Sequence, residues 1–131
     1  MLAPVWAGHA DTAYQKVQPL LSTTHTVLNE PLQHGDGSPL QINSAIITIQ
    51  PGEETAWHKH GMPMYAYILS GSVTVNYGEQ GERTFAAGSA MVEAMDHWHR
   101  GTNRGLEPVR ILVVYFGNPS SKQVILQERT P

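Results

Sequence analysis

Glycine and proline interrupt this chain so often that no long helix fits between them. From Pro39 through Pro51, Gly61, Gly71, Gly78, Gly81, Gly88, Gly101, Gly105, Pro108 and Gly117 to Pro119, a dozen residues or fewer separate one breaker from the next. Proline removes a backbone donor and glycine weakens any regular element it interrupts. The gaps hold short β-type runs at 41–50, 65–69, 72–77, 83–86, 90–94, 109–116 and 123–127. Many short strands with closely spaced turn residues predict a sandwich or a barrel. In Ser72-Val73-Thr74-Val75-Asn76-Tyr77 apolar and polar residues alternate, as in a half-buried strand. The segment 77–81, with two glycines, reads as a hairpin loop. The run 109–116 is apolar except for Arg110, which predicts a strand covered on both faces. Weak helical periodicity at 11–21, with Asp11 as cap, predicts one short helix.

With 131 residues the chain makes one domain. Residues 1–25 are read as an arm around a barrel formed by 26–131. At 40% hydrophobic and 15% charged residues, the composition is that of a folded chain. The absence of cysteine excludes disulfides, thiolate metal sites and thiol catalysis. Eight Lys+Arg against eleven Asp+Glu give a net charge of −3, so no nucleic-acid partner is expected. No apolar run approaches the roughly 20 residues of a membrane span, so no membrane partner is expected either. The start, Met1-Leu2-Ala3-Pro4-Val5, lacks the positive and apolar regions of a secretory signal. The compartment stays open: cytoplasmic, or exported if this start is a processed end.

Seven histidines carry the chemistry. His58 and His60 stand at i and i+2, which on a strand puts both on one face about 6.6 Å apart along the backbone. Two imidazoles so placed can share an ion at roughly 2.0–2.1 Å from each nitrogen. A second cluster, His97-Trp98-His99, follows some forty residues later.

Gly52-x5-His58-x-His60-x3-Met64-x6-Gly71 resembles the first sequence motif of the cupin superfamily. Gly88-x5-Ala94-x-Asp96-x2-His99-x3-Asn103 resembles the second, after a connection of sixteen residues (72–87). The motifs and their connection cover 52 of 131 residues. The resemblance implies an all-β fold, a double-stranded β-helix (the jelly-roll barrel) with an N-terminal arm, often dimeric, with one divalent metal in its mouth. A homodimer is therefore expected. Carried over by position, the metal ligands are His58, His60 and His99, and the ion is iron, nickel, manganese or zinc. The family's usual fourth ligand is a glutamate; here that position is Met64. Ala94 replaces a usual proline, and Asp96 a usual glycine.

Three neutral imidazoles leave the +2 of such an ion uncompensated, so the site favours an anionic small-molecule ligand and keeps open positions. Glu93 is the one acid in the apolar stretch near the second cluster. It can serve as a ligand, as an acceptor behind a ligand histidine, or as an exposed or salt-bridged residue; strand parity does not choose, because the turn at 95–98 breaks the count. Met64 either fills an irregular interior or offers a soft thioether. Tyr65 and Tyr67 oppose the histidines in parity and should face away from the cavity. Trp57 and Trp98 are read as barrel packing, His97 as a rim residue, and His9, His25 and His34 as surface or arm residues. Asn103 is expected to tie down its loop, and Arg100 and Arg104 to form a solvated rim.

Three functions compete. One is a metal-dependent enzyme, a dioxygenase or an isomerase of a small carbonyl or enol compound. Another is a noncatalytic module that binds a small molecule or an ion; no independent general base stands out, which favours it. The third is a purely structural barrel.

Overall fold

The computed structural model describes residues 13–128. Ten strands run in chain order: β1 (Lys16–Thr23), β2 (Gln41–Ile49), β3 (His58–Lys59), β4 (Met64–Ser70), β5 (Ser72–Asn76), β6 (Glu82–Ala86), β7 (Ala90–Val92), β8 (Arg100–Thr102), β9 (Val109–Gly117) and β10 (Ile125–Leu126). Among the described residues the helical element is a 3₁₀ turn, Gly78–Gln80, which joins β5 to β6 where the hairpin loop was expected. No helix of these residues is long and apolar enough to cross a membrane.

Five strands form an antiparallel sheet in the order β1-β2-β9-β4-β7. Facing it is the sheet β6-β5-β8, with the pair β10-β3 alongside. Isolated bridges, Glu54 to Thr102 and His58 to His99, tie the β3 segment to β8 and its approach. The chain is all-β, as the punctuation of the sequence predicts.

Period-two burial fixes the core. In β2 the buried side chains are Asn43, Ala45, Ile47 and Ile49; in β4 they are Met64, Ala66 and Ile68; in β9 they are Val109, Ile111, Val113 and Tyr115. Val73 and Val75 of β5 close the core from the opposite sheet. Each Val, Ile or Met side chain this deep contributes roughly 1.5–3 kcal/mol of transfer free energy.

Two expectations change. The part of 11–21 that lies within the described residues is not helical: from Lys16 it is β1, paired with β2, while Asp11 lies outside the described residues. Pro19 has no N–H for a helix, and the ladder to β2 supplies partners along the strand; the register shifts between Pro19 and Leu21. In β9 the second face is only partly covered. Arg110 and Phe116 are exposed, and Leu112 and Val114 lie between. An apolar run between two neighbouring strands need not be buried on both sides.

Two glycines permit close approaches of distant backbone, the second of them beside the histidines. Gly71 has φ +75°, and a Cβ there would stand 2.7 Å from the Pro108 carbonyl oxygen. A Cβ on Gly61 would stand 2.6 Å from the Lys122 carbonyl oxygen. That contact lets the 118–123 segment run against the end of β3, where the Gly61 N–H donates to the same carbonyl at 3.0 Å.

Candidate metal centre

His58 and His99 face each other across a two-residue ladder: each backbone N–H donates to the other's carbonyl, at 3.0 and 2.9 Å. Directly opposed residues of an antiparallel pair project to the same side. His60, two residues on from His58, shares its face. The outcome is a cluster in which one ring nitrogen from each of His58, His60 and His99 lies within 4.8 Å of the others. The ring centroids are 4.4 Å (His58–His99), 5.0 Å (His58–His60) and 5.1 Å (His60–His99) apart. All three side chains are buried.

Backbone carbonyls orient every ring. His58 Nδ1 bonds the Ala56 carbonyl at 2.7 Å, His60 Nδ1 the Gln123 carbonyl at 2.6 Å, and His99 Nδ1 the His97 carbonyl at 2.9 Å. A carbonyl only accepts, so each Nδ1 carries the proton and each Nε2 keeps a lone pair. Tyr14 lies just ahead of β1, and its hydroxyl is 3.2 Å from His58 Nε2. His60 Nε2 and His99 Nε2 are buried without a hydrogen-bond partner. Orphaned buried acceptors are costly and rare, and three imidazole lone pairs converging on one point match the donor set of a divalent ion.

The surroundings hold the rings in the ligating form. Burial, with repulsion from His99 and His60, lowers His58 from 6.5 to about 3, against the opposing pull of the Ala56 carbonyl. Burial lowers His60 to about 4. Both are neutral at pH 7 and free to bind. Burial also pushes the phenols of Tyr14, Tyr77 and Tyr115 up, with the Glu93 carboxylate adding to each, so all three remain protonated.

The His58 and His99 rings open on a cavity of about 40 Å³ between the two sheets, lined also by Glu93 and otherwise largely by apolar side chains such as Met64, Val75 and Ile111. Glu93 is 6% exposed. Its Oε1 accepts from the Tyr77 hydroxyl at 2.7 Å and from the Ala94 N–H at 2.8 Å. Its Oε2 lies 3.9 Å from His99 Nε2.

The remaining residues singled out in the sequence lie elsewhere. Tyr65 and Tyr67 are exposed on the outer face, as their parity requires. His97 and His25 are exposed and His34 is half-buried; His9 falls outside the described residues. Arg100 lies over the Trp57 ring and donates to the Thr55 carbonyl, Lys59 lies over Trp98, and Arg104 pairs with Glu82 at 2.6 Å. Asn103 is buried and ties its loop by donating to the carbonyls of Ile49 and Glu107 and accepting from the Gly105 N–H. Sequence reasoning passed over Tyr14, Tyr77, Tyr115 and Gln123. Gln123 acts through its carbonyl, which has no residue signature. Asn43, from β2, donates to the Gln123 side chain and so anchors the segment that orients His60.

No curated protein matches the chain in sequence. Among solved structures, an uncharacterized conserved protein with a double-stranded β-helix domain from Klebsiella pneumoniae aligns over 86% of this chain and 81% of its own, at 20% identity and a TM-score of 0.59. The polyketide cyclase from Streptomyces resistomycificus aligns over 66% of this chain and 63% of its own, at 24% identity and a TM-score of 0.54. The oxalate decarboxylase of Lactobacillus farciminis, in complex with formate, is 30% identical over 65% of this chain, with a TM-score of 0.55; the aligned part is 26% of the decarboxylase. These likenesses establish the double-stranded β-helix as the fold. The family model for the cupin domain matches residues 45–115, which is 71 of the 131 residues and contains the three clustered histidines. The chain belongs to the cupin-domain family.

Proposed function

We propose that this protein is a metal-dependent enzyme that acts on a small carbonyl or enol compound, with His58, His60 and His99 holding a divalent ion (iron, nickel, manganese or zinc). The observation that carries the proposal is the pair of buried, unpartnered Nε2 atoms converging with a third. Bound there, such an ion supplies a Lewis acid for a carbonyl oxygen, or an open position for oxygen chemistry. The chain's own residues do the rest. The apolar lining excludes bulk water and strengthens every electrostatic contact inside. The Tyr14 hydroxyl, kept protonated by burial, lies 3.2 Å from His58 Nε2 and borders the place an ion would take. A polyketide cyclase and an oxalate decarboxylase among the similar structures are in keeping with carbonyl chemistry.

A second reading, a noncatalytic module that binds an ion or a small molecule, is favoured by one observation: the cavity of about 40 Å³ has room for only a few waters. One experiment separates the two. Protein loaded with iron(II), nickel(II), manganese(II) or zinc(II) is offered β-diketones, hydroxyketones and enols, anionic members included. The enzyme reading expects turnover that disappears in His99→Ala. A ligand that raises the melting temperature and is recovered unchanged points to the module instead. Metal far below one ion per chain after loading refutes both readings of the histidine cluster.

The homodimer belongs to the same proposal. Tyr65, Tyr67, Val92 and Phe116 are exposed on one face of the five-stranded sheet, an apolar patch suited to a second copy. Sedimentation at micromolar concentration tests it, and a monomer would refute it.

A further inference from the structure

We infer that Glu93 is the fourth metal ligand, taking over from the neighbouring strand the place that Met64 leaves without a carboxylate. The inference rests on the proposed metal site and extends it by one residue.

The sequence allowed three roles for Glu93, and the geometry separates them. An exposed or merely surface-paired carboxylate is excluded by 6% exposure. An acceptor behind a ligand histidine would have to meet an Nδ1–H. All three Nδ1 atoms already meet backbone carbonyls, those of Ala56, Gln123 and His97. Glu93 approaches instead from the Nε2 side, with Oε2 at 3.9 Å from His99 Nε2, itself buried and otherwise unpartnered. Donors that share an ion through bonds of roughly 2.0–2.2 Å lie at most about 4.3 Å apart, so this separation suits two ligands of one ion. Glu93 touches the cluster only at its His99 edge: its oxygens stand outside the 4.8 Å group that the three rings form among themselves, so ligation requires the carboxylate to move inward toward His58 and His60.

The local structure explains how a residue of the second motif can substitute for one of the first. Val92 of β7 pairs with Tyr65 of β4, and the next pair along is Glu93 with Met64, whose carbonyl accepts from the Glu93 N–H at 2.9 Å. Directly opposed residues point to the same face with Cβ atoms about 4.5–5.5 Å apart. Both side chains are buried and line the same cavity. A carboxylate moved from position 64 to position 93 therefore shifts its origin by one strand spacing and still enters the cavity. Tyr77 and the Ala94 N–H occupy Oε1, which fixes the carboxylate and leaves Oε2 for the ion. Charge argues the same way: three neutral imidazoles leave a divalent ion at +2, and a buried carboxylate beside it reduces this to +1.

The test uses cobalt(II) alone, with affinity measured by competition against a chromophoric chelator and coordination read from the visible absorption of the bound ion. In the wild-type protein one cobalt per chain is expected. Glu93→Gln, which keeps shape and loses charge, should bind at least about 10-fold more weakly with an altered spectrum. Glu93→Asp keeps charge but withdraws the oxygen by one methylene. It should also weaken binding, which a purely through-space effect would not do. The double variant Met64→Glu/Glu93→Gln, with the carboxylate on the opposite strand, should regain most of the affinity. A crystal structure of cobalt-loaded wild-type protein provides an arm that needs no variant: Oε2 bonded to the ion upholds the assignment, and Oε2 more than about 3.5 Å away overturns it. Wild-type binding with Glu93→Gln equally tight and spectrally unchanged overturns the Glu93 assignment alone. Absence of cobalt binding in the wild type overturns the metal site and this inference together.

Discussion

Lowering the pH should destabilise the metal-free protein through two buried imidazoles, and the effect can be worked out from the structure. His58 is held near 3 and His60 near 4, each against an ordinary 6.5. Burial is the leading cause for both, and a buried imidazole disfavours its charged form. Below about pH 6.5 the unfolded chain binds protons that the folded chain refuses. The stabilisation is therefore complete above that pH and is lost as pH falls toward 4 and then 3. Between about pH 7 and pH 5 each histidine forfeits about 2 kcal/mol, about 4 kcal/mol together, at 1.36 kcal/mol per unit once the unfolded pKa is passed. With a urea slope of roughly 2 kcal/mol/M, the midpoint should drop by about 2 M. The assay is equilibrium urea unfolding of chelator-treated protein at several pH values, beside His60→Gln. That variant keeps a polar side chain near the Gln123 carbonyl but no longer titrates. It should show about half of the pH dependence, since the other ionisable groups are common to both proteins. Equal slopes for the two would refute the claim that His60 is held neutral by burial, and a midpoint flat down to about pH 5 would refute it for both histidines.

Three further outcomes are expected. Gly61→Ala places a methyl 2.6 Å from the Lys122 carbonyl oxygen, so the segment that orients His60 must move; stability should fall by about 1–3 kcal/mol in urea unfolding, and cobalt affinity about 10-fold in chelator competition. Tyr14→Phe removes a hydrogen bond that occupies His58 Nε2 only while no ion is bound; titration calorimetry should show zinc binding about 5-fold tighter, from about 1 kcal/mol of released competition. Asn103→Ala strips donors from the buried Ile49 carbonyl and from the Glu107 carbonyl; thermal unfolding should report a loss of about 2–3 kcal/mol.

Local pattern carried the fold a long way. Parity in β4 placed Tyr65 and Tyr67 outside and Met64 inside; the alternation in β5 placed Val73 and Val75 inside but missed Thr74, which is buried as well, bonded to Thr84 of β6. The same rule set His58 and His60 on one face. Where periodicity was weak, at 11–21, it misled: a few helically spaced apolar residues counted for less than the open edge of β2, which takes any extended segment able to complete its ladder. In β9 an unbroken apolar run exaggerated burial, because composition does not tell whether a second layer is present.

What the amino-acid order alone determined was therefore the β architecture and the presence of two histidine clusters, since strand alternation and turn residues act over a few neighbours. The meeting of those clusters was settled only by folding, through the His58–His99 ladder and the approach of 118–123 to Gly61. So were the direction of Glu93, through its pairing with Met64, and the entry of Tyr14. These are contacts between distant segments, several of them to main-chain carbonyls, and a carbonyl is the same in every residue.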